Sequence, residues 1–236
     1  MMIEKKDRNL DNWAVKWNTP AARCAVINTP TSMDAFSFGS YIRDVGAVPD
    51  ALVAWLDANR QAAVQSARRR SLILYGKPGT GKTGLGVCAL RELAAACVGK
   101  MFTWNMATSP GVRASVASGE DPQRPSPVWF ERWSRLLLHH RSAKWDELGW
   151  FEQIEDRVTV LMLDDITVDT GTQFRESLLL NHFEWAEDRD DRALILTMNE
   201  SPDELIKRKV FTERITDRIC EARRFDLVEV SGGSRR

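Results

Sequence analysis

The chain has 236 residues, of which 43% are hydrophobic and 28% are charged. Its 33 basic and 33 acidic residues give a formal net charge of zero, which excludes a protein that binds nucleic acid through bulk positive charge alone. No apolar stretch approaches the roughly 20 residues that cross a bilayer, and no signal-peptide pattern follows the N-terminus. We expect one α/β domain in the cytoplasm.

The first regular element that the sequence predicts is a helix. Pro49 and Asp50 form a typical helix start, and the helical pattern continues to about Gln65. Leu52, Trp55 and Leu56 recur at helical spacing, which predicts that this face packs on the core.

The most informative stretch is the apolar segment 72–75 followed by Gly-Lys-Pro-Gly-Thr-Gly-Lys-Thr at 76–83. It matches the phosphate-binding P-loop, G-x-x-x-x-G-K-T, between a strand and a helix that begins near Lys82. Lys82 would supply charge to the β- and γ-phosphates, and the Thr83 hydroxyl would bind Mg²⁺. The residues predicted to bind the nucleotide are Gly76, Lys77, Pro78, Gly79, Thr80, Gly81, Lys82 and Thr83. The alternative, a glycine-rich turn without a ligand, is disfavoured by the flanking strand and helix patterns.

The segment after the P-loop is less regular. The helix is predicted to end near Gly99, and residues 101–104 are predicted to form a second strand. Residues 107–127 are rich in Ser, Pro and Gly, which is typical of a long surface loop. Helical periodicity resumes from Val128 to about Arg141, with Trp129 and Trp133 aligned.

A second anchor is the apolar run 158–163, which is followed by Asp164 and Asp165. A run of this kind predicts a parallel strand buried on both faces, with the two carboxylates at its C-terminal end. Asp164 would hold Mg²⁺ through water, and Asp165 would orient or deprotonate the attacking water. Strands commonly end in turn-forming Asp, so the pair alone is a weak signal for a metal site. The P-loop about 80 residues earlier makes it a strong one.

Three further elements follow. A helix is predicted over 172–186, with Phe174 facing inward, and a buried strand over 193–199 ends in Asn199. The Asn199 amide would reach either the γ-phosphate or the attacking water, or would only cap the strand in a turn. A helix over 211–219 places Arg214 and Arg218 on one face, and 225–230 alternates as a last strand.

In order, these parts resemble the core of the AAA+ ATPases, and within that superfamily the clade of DnaC- and IstB-like proteins. The resemblance implies a three-layer P-loop fold with five parallel strands in the order 5-1-4-3-2 and no C-terminal helical lid. It also implies that Asn199 is the sensor-1 residue. Arg218 would be the arginine finger that completes a neighbouring subunit's site, with Arg214 as the second candidate.

The same resemblance implies a function. The chain would bind ATP and Mg²⁺ and hydrolyse ATP slowly, stimulated by oligomerisation or DNA, to load or recruit a replicative helicase. Its partners would be copies of itself in a hexamer or spiral, the helicase, and single-stranded DNA in the nucleoid. Residues 1–48 would form an N-terminal partner-binding extension, and residues 49–236 the ATPase domain.

Three alternatives stay open. A transposition helper would use the same fold to select target DNA for a transposase. A P-loop small-molecule kinase would need an arginine-bearing lid, for which the loop at 111–124 is the candidate. A nucleotide-gated binding module with negligible turnover stays open because position 165 is Asp, where Glu is more usual in the family.

Overall fold

The computed structural model describes residues 37–65, 67–96, 128–142, 158–167, 173–221 and 224–231. Its centre is a five-stranded sheet in the order β2-β3-β4-β1-β5, in which every neighbouring pair is parallel. The strands are β1 (Ser71–Tyr75), β2 (Val128–Arg132), β3 (Val160–Ile166), β4 (Ala193–Met198) and β5 (Phe225–Glu229). Read from the opposite edge, this is the predicted order, so the fold prediction is confirmed.

Helices cover both faces of the sheet. Within the described ranges they are α1 (Phe38–Asp44), α2 (Asp50–Gln65), α3 (Lys82–Ala96), α4 (Trp133–Ser142), α5 (Gln173–Asp188), α6 (Pro202–Lys207) and α7 (Glu213–Cys220). Leu72 of β1 packs in one core with Trp55 of α2, whereas the next residue, Ile73, packs in the other core with Phe183 of α5. Side chains of a strand alternate between its two faces, so one strand supplies both cores and the molecule has three layers.

The central strands are apolar throughout because both of their faces are covered. All six residues of β4 are buried, and the first five residues of β3 are buried as well. Such strands lack the polar alternation of a half-exposed sheet. In the edge strand β5 only Phe225 and Val228 are buried, and the other three residues are partly or fully exposed.

The helix predicted from Val128 to about Arg141 is wrong over its first five residues, which form β2. Trp129 and Trp133 are four residues apart, as on one helix face, yet Trp129 lies on β2 and Trp133 begins α4. Both side chains are buried in the same core, so two consecutive elements produce a spacing that imitates a helix. The β-favouring Val-Trp-Phe start is the local signal for the strand.

Other boundaries agree with the sequence to within a few residues, and α2 spans Asp50–Gln65 as predicted. Phe174 was expected to face inward but is 40% exposed, because it lies in the first turn of α5, ahead of that helix's buried face. The predicted strand 101–104, the loop 107–127 and residues 1–36 lie outside the described residues. Among the described helices, none combines the length and apolar character needed to cross a membrane.

Candidate nucleotide-binding site

The P-loop joins the C-terminal end of β1 to the first turn of α3. Gly79 and Gly81 have φ angles of 84° and 88°, a left-handed conformation that glycine adopts without strain. The Lys82 ammonium donates to the carbonyl oxygens of Gly76, at 2.7 Å, and Lys77, at 2.9 Å. The loop therefore curls around its own lysine, and the positive end of the α3 dipole lies beside it.

Lys82 is a buried lysine whose charged form is disfavoured by its environment. Burial lowers the pKa of Lys82, and the nearby carboxylates of Asp165 and Asp164 act in the opposite direction. An anion placed against the ammonium would favour the charged lysine further. The lysine is thus held where a phosphate group would stabilise its charge.

A cavity of about 510 Å³ opens beside the loop, a volume in the range typical of small-molecule sites. One wall is α1. The Tyr41 hydroxyl donates to the Thr80 carbonyl at 3.2 Å, and a Cβ on Gly81 would come within 2.7 Å of the Tyr41 ring. Ser37, Asp44 and Val45 line the same wall.

Asp164, near the C-terminal end of β3, is 5% exposed and lies behind the residues that line the cavity. Its Oδ1 atom accepts hydrogen bonds from the hydroxyls of Thr83 and Thr197, each at 2.8 Å. Burial raises the pKa of Asp164, and these two hydrogen bonds oppose the rise. Arg132, which is in register with Asp164 on the neighbouring strand, also opposes it.

The donor set around Asp164 fits Mg²⁺. Within the described ranges no group of three or more His, Cys, Asp or Glu side chains is placed to hold a metal. Mg²⁺ in nucleotide sites typically uses one or two carboxylates together with water and substrate phosphates. Thr83 and Asp164 supply oxygen atoms of that kind next to the phosphate loop.

Asp165 has a left-handed backbone conformation, which is uncommon for a residue other than glycine. Its φ is 57°, and the register between β3 and β4 shifts between Leu163 and Ile166. A bulge of this kind redirects a side chain, and a left-handed non-glycine residue costs on the order of 1–3 kcal/mol. As a result Asp164 is buried on Thr83, whereas Asp165 is exposed and lines the cavity.

Two residues of the β4 end hold this geometry. The Asp165 backbone N–H donates to the Thr197 hydroxyl at 2.8 Å, so Thr197 touches both aspartates. Asn199 donates from Nδ2 to Asp165 Oδ1 at 3.3 Å, and it lines the cavity. The amide therefore faces the site in addition to following the strand.

The structure brings most of the predicted site together but separates the two arginines from it. Pro78, Gly79, Gly81, Lys82 and Thr83 line the cavity, and Gly76, Lys77 and Thr80 complete the loop. Arg214 and Arg218 lie on α7 instead, where they pair with Glu184 and Glu187 of α5. They share one helix face, as predicted.

The α5–α7 contact lies towards the N-terminal ends of the strands, whereas the P-loop lies at their C-terminal ends. Glu187 is near the C-terminal end of α5, a few residues before β4 begins at Ala193, whereas the P-loop follows the other end of the strands. A strand of six residues spans roughly 20 Å at about 3.3 Å per residue. Arg218 is therefore remote from the P-loop of its own chain.

Sequence reasoning missed Thr197 and the α1 wall, including Tyr41. Thr197 carries a weak signal, since it is a polar residue in an otherwise apolar strand. No signal in the sequence places residues 37–45 against a loop almost 40 positions later. Cys88 also lines the cavity, where burial raises its pKa to about 12.

Comparison with known proteins gives no match to any family model or to any curated protein sequence. Solved structures do match. The DnaI structure has a TM-score of 0.54 and 17% identity, over 88% of this chain and 94% of that one. The DnaC helicase loader has a TM-score of 0.50 and 14% identity, over 86% of this chain and 100% of that one.

A third match is a replication initiator, DnaA, bound to AMPPCP and single-stranded DNA. Its TM-score is 0.51 with 16% identity, over 83% of this chain and 50% of that one. The chain thus spans about half of the DnaA structure but nearly all of the DnaI structure. At these identities the likeness shows the fold alone, which this chain shares with the DnaI, DnaC and DnaA structures.

Proposed function

We propose that this chain, which has the AAA+ fold, is an ATPase that assembles on single-stranded DNA and loads or recruits a replicative helicase. The observation that carries the ATPase part is the hydrogen-bonded series Thr83–Asp164–Thr197–Asp165–Asn199. It ties the phosphate loop to the ends of two neighbouring strands. A glycine-rich turn without a ligand would not need two carboxylates held in this way.

Each residue has a distinct task in hydrolysis. Lys82 and the P-loop N–H groups bind the β- and γ-phosphates, and Asp165 orients the attacking water or accepts its proton. Asn199 holds the Asp165 carboxylate without adding negative charge near the phosphate. Mg²⁺, on Thr83 and through water on Asp164, would supply positive charge to the phosphate oxygens.

The proposed role in replication draws on the structural matches. The DnaC structure is described as a helicase loader, and its whole length is covered by this chain. The matched DnaA binds AMPPCP and single-stranded DNA. These descriptions favour a loader over a transposition helper, and the placement of Asn199 on Asp165 favours an ATPase over a small-molecule kinase.

A pair of lysine variants tests the ATPase proposal. Lys82→Ala should abolish ATP binding and lower phosphate release by on the order of a hundredfold or more, because it removes the charge that faces the phosphates. Lys77→Ala removes only an exposed side chain of the same loop and keeps the backbone that Lys77 contributes to the predicted phosphate site, so it should retain both. Binding is measured with a fluorescent ATP analogue, and turnover by phosphate release with Mg²⁺, with and without single-stranded DNA.

Full turnover by Lys82→Ala would contradict the proposal. A phosphorylated small molecule in place of free phosphate would favour the kinase. Pull-down with the ATP-bound chain from its native host tests the partner: a replicative helicase supports the loader, and a transposase supports the transposition helper.

A further inference from the structure

Arg218 is held by a carboxylate that also binds a second arginine. Arg218 Nη1 pairs with Glu187 Oε2, and Arg224 Nη1 pairs with Glu187 Oε1. The Glu187 side chain is 16% exposed, and those of Arg218 and Arg224 are 29% and 24% exposed. Each oxygen of one largely buried carboxylate therefore has its own guanidinium.

Arg224 is also bound to another carboxylate. Its Nε atom lies 2.9 Å from Glu221 Oε2, and the Glu221 side chain is 46% exposed. The four side chains carry two positive and two negative charges, so the cluster is neutral as observed. If Arg218 leaves, Glu187 keeps Arg224 as a partner, and the exposed Glu221 is solvated by water.

The second arginine matters because a buried carboxylate is strongly destabilised when it loses its last charged partner. Breaking a buried ion pair by removing one member is strongly destabilising when the other charge stays behind. With Arg224 in place, the departure of Arg218 does not leave Glu187 alone. The arrangement thus makes Arg218 releasable while keeping it restrained in the free subunit.

The surroundings add a neighbouring ion pair on the same two helices. Arg214 on α7 and Glu184 on α5 lie 3.0 Å apart, and their side chains are 66% and 46% exposed. Arg68 donates to the Glu187 backbone carbonyl and lies 3.7 Å from Asp190. Arg214 contacts the Glu184 carboxylate, and Arg68 contacts the Glu187 backbone and Asp190, so both are distinct from the cluster that Arg218 and Arg224 form on the Glu187 carboxylate.

We propose that Glu187 restrains Arg218 in the free subunit, and that Arg224 takes over Glu187 when Arg218 turns to the triphosphate of a neighbouring subunit. The inference rests on the proposed ATPase function and on the arginine-finger role that the family resemblance implies for Arg218. Glu187 and Arg224 are positioning residues that act through Arg218. Assembly then involves an exchange of one anion, the carboxylate, for another, the γ-phosphate.

The exchange predicts opposite effects for its two positioning residues. Glu187→Gln removes the competing carboxylate charge, so ATPase activity should reach half its maximum at about fivefold lower protein concentration. Arg224→Met leaves Arg218 as the only arginine on Glu187, so the same midpoint should move about fivefold higher. The double variant should behave like Glu187→Gln, because no carboxylate is left to hold Arg218.

The experiment uses the full chain, with phosphate release measured across a concentration series in ATP and Mg²⁺. Glu184→Gln is the matched control, a glutamate one turn earlier on α5 in the exposed pair, and should leave the midpoint unchanged. Arg224→Lys keeps a positive charge on Glu187 and should restore the wild-type midpoint. Thermal unfolding of each variant identifies a loss of folding.

A purely structural cluster would give a different result. Glu187→Gln and Arg224→Met would then both lower stability and shift the midpoint in the same direction, or not at all, and either outcome overturns the inference. The Arg218→Ala variant distinguishes a failure of the proposed exchange from a failure of the arginine-finger role itself. If Arg218→Ala lowers turnover while the two midpoints do not move apart, only the exchange is wrong; if Arg218→Ala turns over normally, the finger and the exchange both fail.

Discussion

At the scale of single residues, the two adjacent aspartates of β3 have opposite environments. Asp164 is buried and accepts two hydroxyl hydrogen bonds, whereas Asp165 is exposed in the cavity. The bulge in β3 interrupts the regular alternation of side chains here, so Asp164 is buried against Thr83 while Asp165 lines the cavity. Under the proposed mechanism these two identical side chains would have different tasks, Asp164 at the metal and Asp165 at the attacking water.

The raised pKa of Asp164 leads to a prediction about stability. Because its folded-state pKa is above the unfolded value, the stability that this group contributes is present in acid and is lost as pH rises through the raised pKa. Asp164→Asn keeps the Oδ1 acceptor for Thr83 and Thr197 but removes the charge. It should therefore increase the free energy of unfolding near pH 7 without nucleotide, and this gain should disappear in acid.

The same variant should lower ATP turnover by about ten- to a hundredfold, because the proposed water-mediated metal contact is lost. Urea unfolding at several pH values and phosphate release check the two halves of the prediction. An Asp164→Asn protein that is less stable than wild type at neutral pH would show that burial of the charge is not the dominant effect.

At the scale of elements, two adjacent leucines of α4 have opposite environments although they are the same residue type. Leu137 is 6% exposed and packs in the core beneath the sheet, whereas the next residue, Leu138, is 64% exposed. The helix begins immediately after β2, and its orientation is fixed by Trp133 and Leu136 in the same core. One face of α4 therefore packs on the core, and the face that carries Leu138 is exposed.

Alanine substitutions of this pair should differ strongly. Leu137→Ala should lower the free energy of unfolding by about 2–4 kcal/mol, through lost burial and the cavity that remains. Leu138→Ala should change it by about 0.5 kcal/mol or less, as is usual for surface positions. Guanidinium unfolding of both variants, fitted with one common dependence of the free energy on denaturant concentration, checks the difference. Equal losses of unfolding free energy would contradict the orientation of α4.

At the scale of the whole molecule, the P-loop and Arg218 lie towards opposite ends of the strands of one sheet. A contact that joins two different surfaces is heterologous, so it repeats from subunit to subunit and gives a ring or a helical filament. The proposed hexamer or spiral follows from this geometry if Arg218 serves a neighbour. ATP then becomes a ligand shared by two copies, and its hydrolysis depends on assembly.

Mixing two inactive variants tests the shared site. Arg218→Ala should bind ATP normally and hydrolyse it slowly, whereas Lys82→Ala should fail to bind. In an equal mixture, about a quarter of randomly formed heterologous interfaces pair an intact Lys82 with an intact Arg218. Phosphate release should therefore recover toward a quarter of the wild-type rate, and a mixture no more active than its components would argue against an arginine supplied by a neighbour.

Much of this protein is determined by local sequence. The P-loop, the Asp164–Asp165 strand and the strand that ends in Asn199 each combine a buried apolar run with polar residues at its end, and this pattern is visible without a structure. The family resemblance supplied the strand order, which the structure confirms. These features depend on neighbours in the chain or on a known arrangement of parts.

Tertiary structure decided the rest because it depends on contacts between distant positions. Trp129 and Trp133 have helical spacing, and only the pairing of β2 with β3 assigns the first to a strand. Tyr41 meets Thr80, Thr197 joins both aspartates, and Glu187 meets Arg218 and Arg224 across three segments. Sequence spacing does not encode which surfaces pack together. Only the folded chain therefore shows the α1 wall of the site, the hydrogen bonds between Thr197 and both aspartates and the ion pairs that hold Arg218.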